Sequence, residues 1–172
     1  MLLATCGALL LLQGERARQR DEPYRRHWTV LGIVFFYISL DEAVQLHEHM
    51  SEWWSYGGVL YFSWVLPAAT FVILLGYLYL PFLNHLSPST RRRFVTAAVL
   101  YVGGALVMEL PLGWWTEQHG SDNLTYAMID LVEETLEFAG VSVFLHALVR
   151  ELAQRLEGSA PVKPAGVRSL PA

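Results

Sequence analysis

The sequence predicts an all-α fold, a polytopic transmembrane helical bundle of about five helices with the first one short. Three observations predict it. Hydrophobic residues fill 53% of the 172 positions and charged ones only 16%, a balance that favours membrane spans over a soluble core. Windows of roughly 20 apolar residues, enough to cross a hydrocarbon layer of ~30 Å, lie at Trp28 to Leu46, Val59 to Leu83, Phe94 to Trp114 and Ile129 to Leu148. All twelve Lys and Arg residues are confined to 16–26, 91–93 and 150–168.

The first helix is the apolar stretch Leu2 to Leu12, too short to span comfortably and without the basic start and small-residue cleavage site of a secretory signal. Either its helix begins upstream of Met1, or it is tilted and thins the bilayer locally. The segment joining it to the second helix carries Arg16, Arg18, Arg20, Arg25 and Arg26. Arg91 to Arg93 follow the third helix, and Arg150 opens the end of the fifth. The positive-inside rule makes these three segments cytoplasmic. The Arg- and Lys-free connections 51–58 and 112–128 are then extracytoplasmic, with Trp53, Trp54, Trp114, Trp115 and Tyr126 as an outer aromatic belt. Residues 1–157 form the bundle, and the Pro-, Gly- and Ala-rich stretch 158–172 reads as a disordered cytoplasmic tail. With one cysteine, Cys6, no intrachain disulfide is possible. No basic-aromatic surface suits nucleic acid.

Chemistry enters through the acidic residues. Eleven of the sixteen carboxylates lie between the basic segments, several in strongly apolar sequence. A carboxylate removed from water must be paired, protonated or bound to a cation. At about 100° per residue, Asp41, Gln45, Glu48 and Glu52 share one stripe of helix two, Glu42 and His49 a neighbouring one, and His47 points away from both. On helix four, Ala98, Val102, Ala105 and Glu109 share a face small enough for close approach, and Pro111 ends or kinks the helix. On helix five, Asp130, Glu133, Glu134 and Glu137 make one acidic face, expected to turn inward. The acidic residues of helices two, four and five therefore converge in the outer third of the membrane and just above it.

Carboxylates with imidazole and no thiolate suit a divalent iron, manganese or zinc ion. The expected ligands are Glu42, His49, Glu109, Glu134 and Glu137, with Asp41, Glu48, Asp130 and Glu133 as alternates. The set departs from paired-metal carboxylate bundles, because no Glu-x-x-His motif occurs. The polar loop Thr116 to Asn123 is read as a solvated turn, and His146 as satisfying a local hydrogen bond near the inner surface.

Ser39-Leu40-Asp41-Glu42 with His47-Glu48, followed by Val132-Glu133-Glu134-x-x-Glu137 and Gly140, resembles a family of uncharacterised small multi-pass bacterial membrane proteins. The resemblance covers most of helices two to five. It implies a bacterial inner-membrane location and supplies no activity, substrate or cofactor.

The resulting expectation is an integral membrane protein with an intramembrane carboxylate and histidine cluster that binds a divalent metal, in contact with the lipid bilayer. Whether it is an enzyme stays open. A catalytic version implies metal-assisted hydrolysis or oxidation of a lipid-phase substrate, with one Glu left as general base. The alternatives are proton or cation translocation, and a non-catalytic subunit whose acidic face pairs with a basic membrane partner. Homo-oligomerisation is open as well.

Overall fold

A computed structural model of the chain describes residues 1–47 and 56–157. The expected tail 158–172, together with Glu48, His49, Glu52, Trp53 and Trp54, lies outside the described residues. Five helices account for nearly all of the rest: α1 (Leu2–Gln19), α2 (Arg25–Val44), α3 (Val65–His85), α4 (Pro88–His119) and α5 (Leu124–Glu157). A single 3₁₀ turn, Gly58–Leu60, precedes α3. The fold is all-α, as the sequence predicts.

By length and composition α2, α3 and α4 can each cross a membrane. The protein is therefore a membrane protein. The fifth helix is long enough at 34 residues, but its carboxylates keep it out of that set. It reaches the same depth by packing antiparallel along α4. A Cβ added to Gly104 would meet the Glu133 carbonyl oxygen at 2.8 Å and the Glu137 nitrogen at 3.1 Å. One added to Gly140 would meet the Tyr101 nitrogen at 2.6 Å and the Ala97 oxygen at 2.9 Å. Both neighbours are backbone, so only glycine permits this approach, the usual way helices gain dispersion contact in lipid.

Helix α1 packs on α2 by the same device, with Gly7 and Gly32 facing one another: a Cβ on either would stand 3.1 Å from the other's carbonyl oxygen. The turn between them is tight, and both Asp21 and Tyr24 adopt left-handed backbone on either side of Glu22 and Pro23. Helix α3 is held mainly at its C-terminal end. Tyr79 donates to the His27 carbonyl at 2.8 Å, and Phe82 packs edge-on to Trp28 and stacks on His27. From Phe71 to Leu80 most of α3 is exposed, and no residue there is acidic or basic.

The three basic segments meet at one end of the bundle. Arg155 of α5 bonds Glu22 of the α1–α2 turn at 2.6 Å and Glu151 at 2.8 Å, and its guanidinium lies 5.3 Å above the Trp28 ring. Buried Glu151 accepts from Thr90 in the first turn of α4 at 2.8 Å. Four elements are tied through one arginine.

Gly140→Val should cost about 1–3 kcal/mol, because the new side chain can relax only by separating α4 from α5. Gly76→Ala, where an added Cβ meets nothing, should be neutral. Thermal unfolding midpoints in detergent check both, and equal midpoints for the two variants would contradict the close packing.

Candidate functional site

The site is built by an irregularity in α4. Residues Gly103–Met108 form a π-helical turn, in which hydrogen bonds span five residues and one extra residue fits in the turn. Gly104 and Glu109, five apart, are both buried as a result. The face packed on α5 is Ala97, Tyr101, Gly104 and then Glu109; Ala98 is exposed. The face expected from regular helical spacing is therefore rotated by one residue in the first half of α4, and the π turn restores Glu109 to the interior. Pro111 does not end the helix, which runs to His119. Proline cannot donate to the preceding turn, and the irregular segment lies just before it.

On α5, Glu133 and Glu137 lie one turn apart against Gly104. Both are half-buried, whereas Glu134 is exposed on the outward side of α5 with Leu131, Thr135 and Phe138. The four acidic residues of α5 thus do not form one inward face. At 100° per residue Glu133 and Glu137 can share the packed side only if Glu134 rotates away from it. Glu133 lies within electrostatic range of Glu109, Asp130, Glu134 and Glu42, and Glu137 within range of Glu42, Glu133 and Glu134. One buried oxygen of Glu133, Oε2, has no hydrogen-bond partner. Glu109 is 7% exposed.

Helix α2 supplies Glu42, whose Oε1 accepts from the Tyr101 hydroxyl at 3.4 Å. Its neighbour Asp41 turns elsewhere. The helix ends at Val44, with Gln45 in left-handed backbone, so the chain folds back and His47 returns to Asp41. The carboxylate accepts from the His47 backbone nitrogen at 3.1 Å and pairs with ring nitrogen Nδ1 at 2.7 Å, while the imidazole packs on Trp64. The expectation that His47 points away assumed a helix running on to Glu52, and the stop at Gln45 removes that premise.

Of the five expected ligands, then, Glu42 lies within electrostatic range of Glu137, Glu109 within range of Glu133, Glu134 is turned outward, and His49 lies outside the described residues. Among the alternates, Glu133 joins the cluster, Asp130 sits one turn above it, Asp41 is engaged by His47, and Glu48 is outside the described residues. Among the described residues no three His, Cys, Asp or Glu side chains stand close enough to hold a metal ion as they are. Tyr101 was missed. Its position midway between Ala97 and Gly104, at i+4 and i+7, was the available signal.

The same contacts fix the register of α4 against α5. Gly104 faces the Glu133–Glu137 turn, Gly140 faces Ala97 and Tyr101, and Thr90 bonds Glu151, so residues whose numbers sum to about 240 are level. The apolar run 94–114 of α4, about 30 Å long at about 1.5 Å per residue, thus lies beside 126–146 of α5. Glu137 falls near its middle, Glu133 about 10 Å from its Trp114 end, and Glu109 five residues from that end.

Above the site the polar loop is a self-satisfied turn. Asn123 Oδ1 accepts from Trp115 Nε1 at 2.8 Å and from the Tyr126 nitrogen at 3.0 Å, capping α5. Glu117 accepts from the Gly58 nitrogen at 2.6 Å. His146 is exposed on α5 rather than buried in a local hydrogen bond.

A family model described as a domain of unknown function (DUF8692) matches residues 1–152. No curated protein matches the chain, and neither does any solved structure.

In metal-free protein, Glu133→Leu should raise stability by about 1 kcal/mol, since it removes a buried oxygen without a partner and adds apolar contact. Thermal unfolding after chelator treatment measures this, and a lowered midpoint would show that the carboxylate is already compensated.

Proposed function

Because the chain belongs to this family of unknown function, its own residues must carry the reading, and we propose that the α2–α4–α5 carboxylate cluster binds a divalent metal ion. Glu42, Glu109, Glu133 and Glu137 are its ligands. One observation supports this: Glu133 lies within electrostatic range of Glu109 and Glu42, and Glu137 within range of Glu42, while no Lys or Arg occurs at 27–90 or 94–149 to neutralise them. A cation supplied from outside the chain removes the cost of that arrangement. Ion uptake has to draw Glu42 inward from its exposed position against Tyr101. An all-oxygen donor set favours manganese among the candidate metals, whereas iron or zinc would bring in an imidazole from the segment after Gln45. The convergence of the basic segments at one end supports an inner-membrane orientation with those loops and the C-terminus cytoplasmic. The bacterial setting follows from the resemblance alone.

A second reading has its own support. No three donors are preassembled among the described residues, which favours a cluster kept neutral by shared protons that it can exchange with the outer aqueous phase.

The test is elemental analysis of the full chain purified in detergent without chelator and then equilibrated with manganese, iron or zinc. Stoichiometric metal is expected in the wild type and in Glu134→Gln, with loss in Glu133→Gln/Glu137→Gln. A wild type that stays metal-free under all three loadings overturns the metal reading and leaves the proton-sharing one.

A further inference from the structure

The outward face of α5 is unlike the exposed side of α3. Exposed residues of α3 in the stretch 71–80 are Phe71, Ile73, Leu74, Gly76, Tyr77, Leu78 and Leu80, none of them acidic or basic. On α5 the exposed side instead carries Glu134 and Thr135 beside Leu131 and Phe138, around a shallow concavity of about 360 Å³. Half-buried Ser142 and exposed His146 continue the same stripe at helical spacing, toward the basic end.

The α4–α5 register sets the depth of Glu134. It lies level with about residue 105 or 106 of α4, so the end of the apolar run at Trp114 is about 13 Å away at about 1.5 Å per residue. That is close to the middle of a hydrocarbon layer of ~30 Å. An ionisable group at this depth costs on the order of 3 kcal/mol on insertion scales, and such groups almost always face protein or a water-filled cavity. Glu134 faces neither within this chain. The charged groups near it are further carboxylates, Glu133 and Glu137.

A second copy of the chain cannot supply the missing cation at that depth, since its membrane segments also lack Lys and Arg. We infer that the Leu131–Glu134–Thr135–Phe138 face of α5 docks a transmembrane helix of a different protein, which presents an Arg or Lys to Glu134 near the bilayer midplane. Leu131 and Phe138 flank the contact one turn to either side, and Thr135 and Ser142 offer the short polar side chains that helices use against one another in lipid. The inference is independent of the metal reading, because Glu134 lies outside the inward cluster.

The experiment uses the full chain, donor-labelled at its C-terminus, in phosphatidylcholine vesicles with an acceptor-labelled polyleucine transmembrane peptide bearing one central Arg. Saturable energy transfer is expected, about tenfold weaker with Glu134→Gln, in line with an interhelical polar contact in a bilayer. Glu134→Gln should keep wild-type helicity by circular dichroism, as an exposed substitution. A peptide without the Arg, or with the Arg near one end, should give only background transfer. Equal transfer from the all-leucine peptide, or no loss in Glu134→Gln, overturns the proposal. Transfer between two labelled copies of the protein that depends on Glu134 also overturns it, in favour of self-association. Metal content, read separately on the same variant, distinguishes failure here from failure of the cluster reading.

Discussion

The close antiparallel contact of α4 and α5 across Gly104 and Gly140 sets the position of everything else. Each glycine faces backbone of the opposing helix, so the two helices can neither slide nor rotate without a clash. That register sets Glu133 and Glu137 against Gly104 within the apolar part of α4, and at the same time directs Glu134 to the outside. In water such packing would be one contribution among many. In lipid, where apolar side chains gain little by meeting each other rather than acyl chains, close backbone approach is a principal source of helix association. A fifth helix too acidic to qualify as a span by itself is thereby held at membrane depth.

The two ends of the bundle solve the problem of charge differently. At the basic end four carboxylates have an arginine or hydroxyl partner: Glu15 with Arg18, Asp21 with Arg25, Glu22 with Arg155, and Glu151 with both Arg155 and Thr90. At the other end the carboxylates face one another, a tyrosine and a histidine. The contrast follows directly from where the sequence places Lys and Arg. It makes the basic end a structural clamp and leaves the acidic cluster in the part of the sequence that has no Lys or Arg.

The helices, their order and the meeting of helices two, four and five were legible from apolar run length and from the confinement of the basic residues. Glu42, Glu109 and Glu137 could be singled out from the sequence by residue type and by the absence of nearby Lys or Arg. What could not be read was anything that depends on a departure from regular helix. The π turn at Gly103–Met108 adds a residue that no local pattern announces, so the packed face of α4 came out one position off, at Ala98 in place of Ala97. The left-handed Gln45 ends α2 early and turns Asp41 toward His47, with no Gly or Pro at that position to signal it. On α5 the acidic residues span more than one face, and periodicity alone could not choose between an inward Glu134 and an inward Glu133. The glycines decided it: Gly104 and Gly140 fix the packed side, and Glu133 and Glu137 share that side while Glu134 cannot.

Carboxylates packed in the α4–α5 contact are a costly choice for the chain at these positions. Leucine or methionine at Glu133 or Glu109 would pack the α4–α5 contact without desolvating a charge, and buried ionic groups commonly yield stability to such replacements. The proposed cation site accounts for their presence by what they hold and not by what they stabilise. The arrangement separates two such demands on one helix. The inward pair lies beside two other helices, where a small ion or shared protons can be enclosed. The outward Glu134 lies about 100° round the helix from Glu133, on a face that nothing in the chain covers, where only another membrane component can meet it. A helix that served the inward cluster alone would carry leucine at position 134, as α3 does along its own exposed side at Leu74 and Leu78.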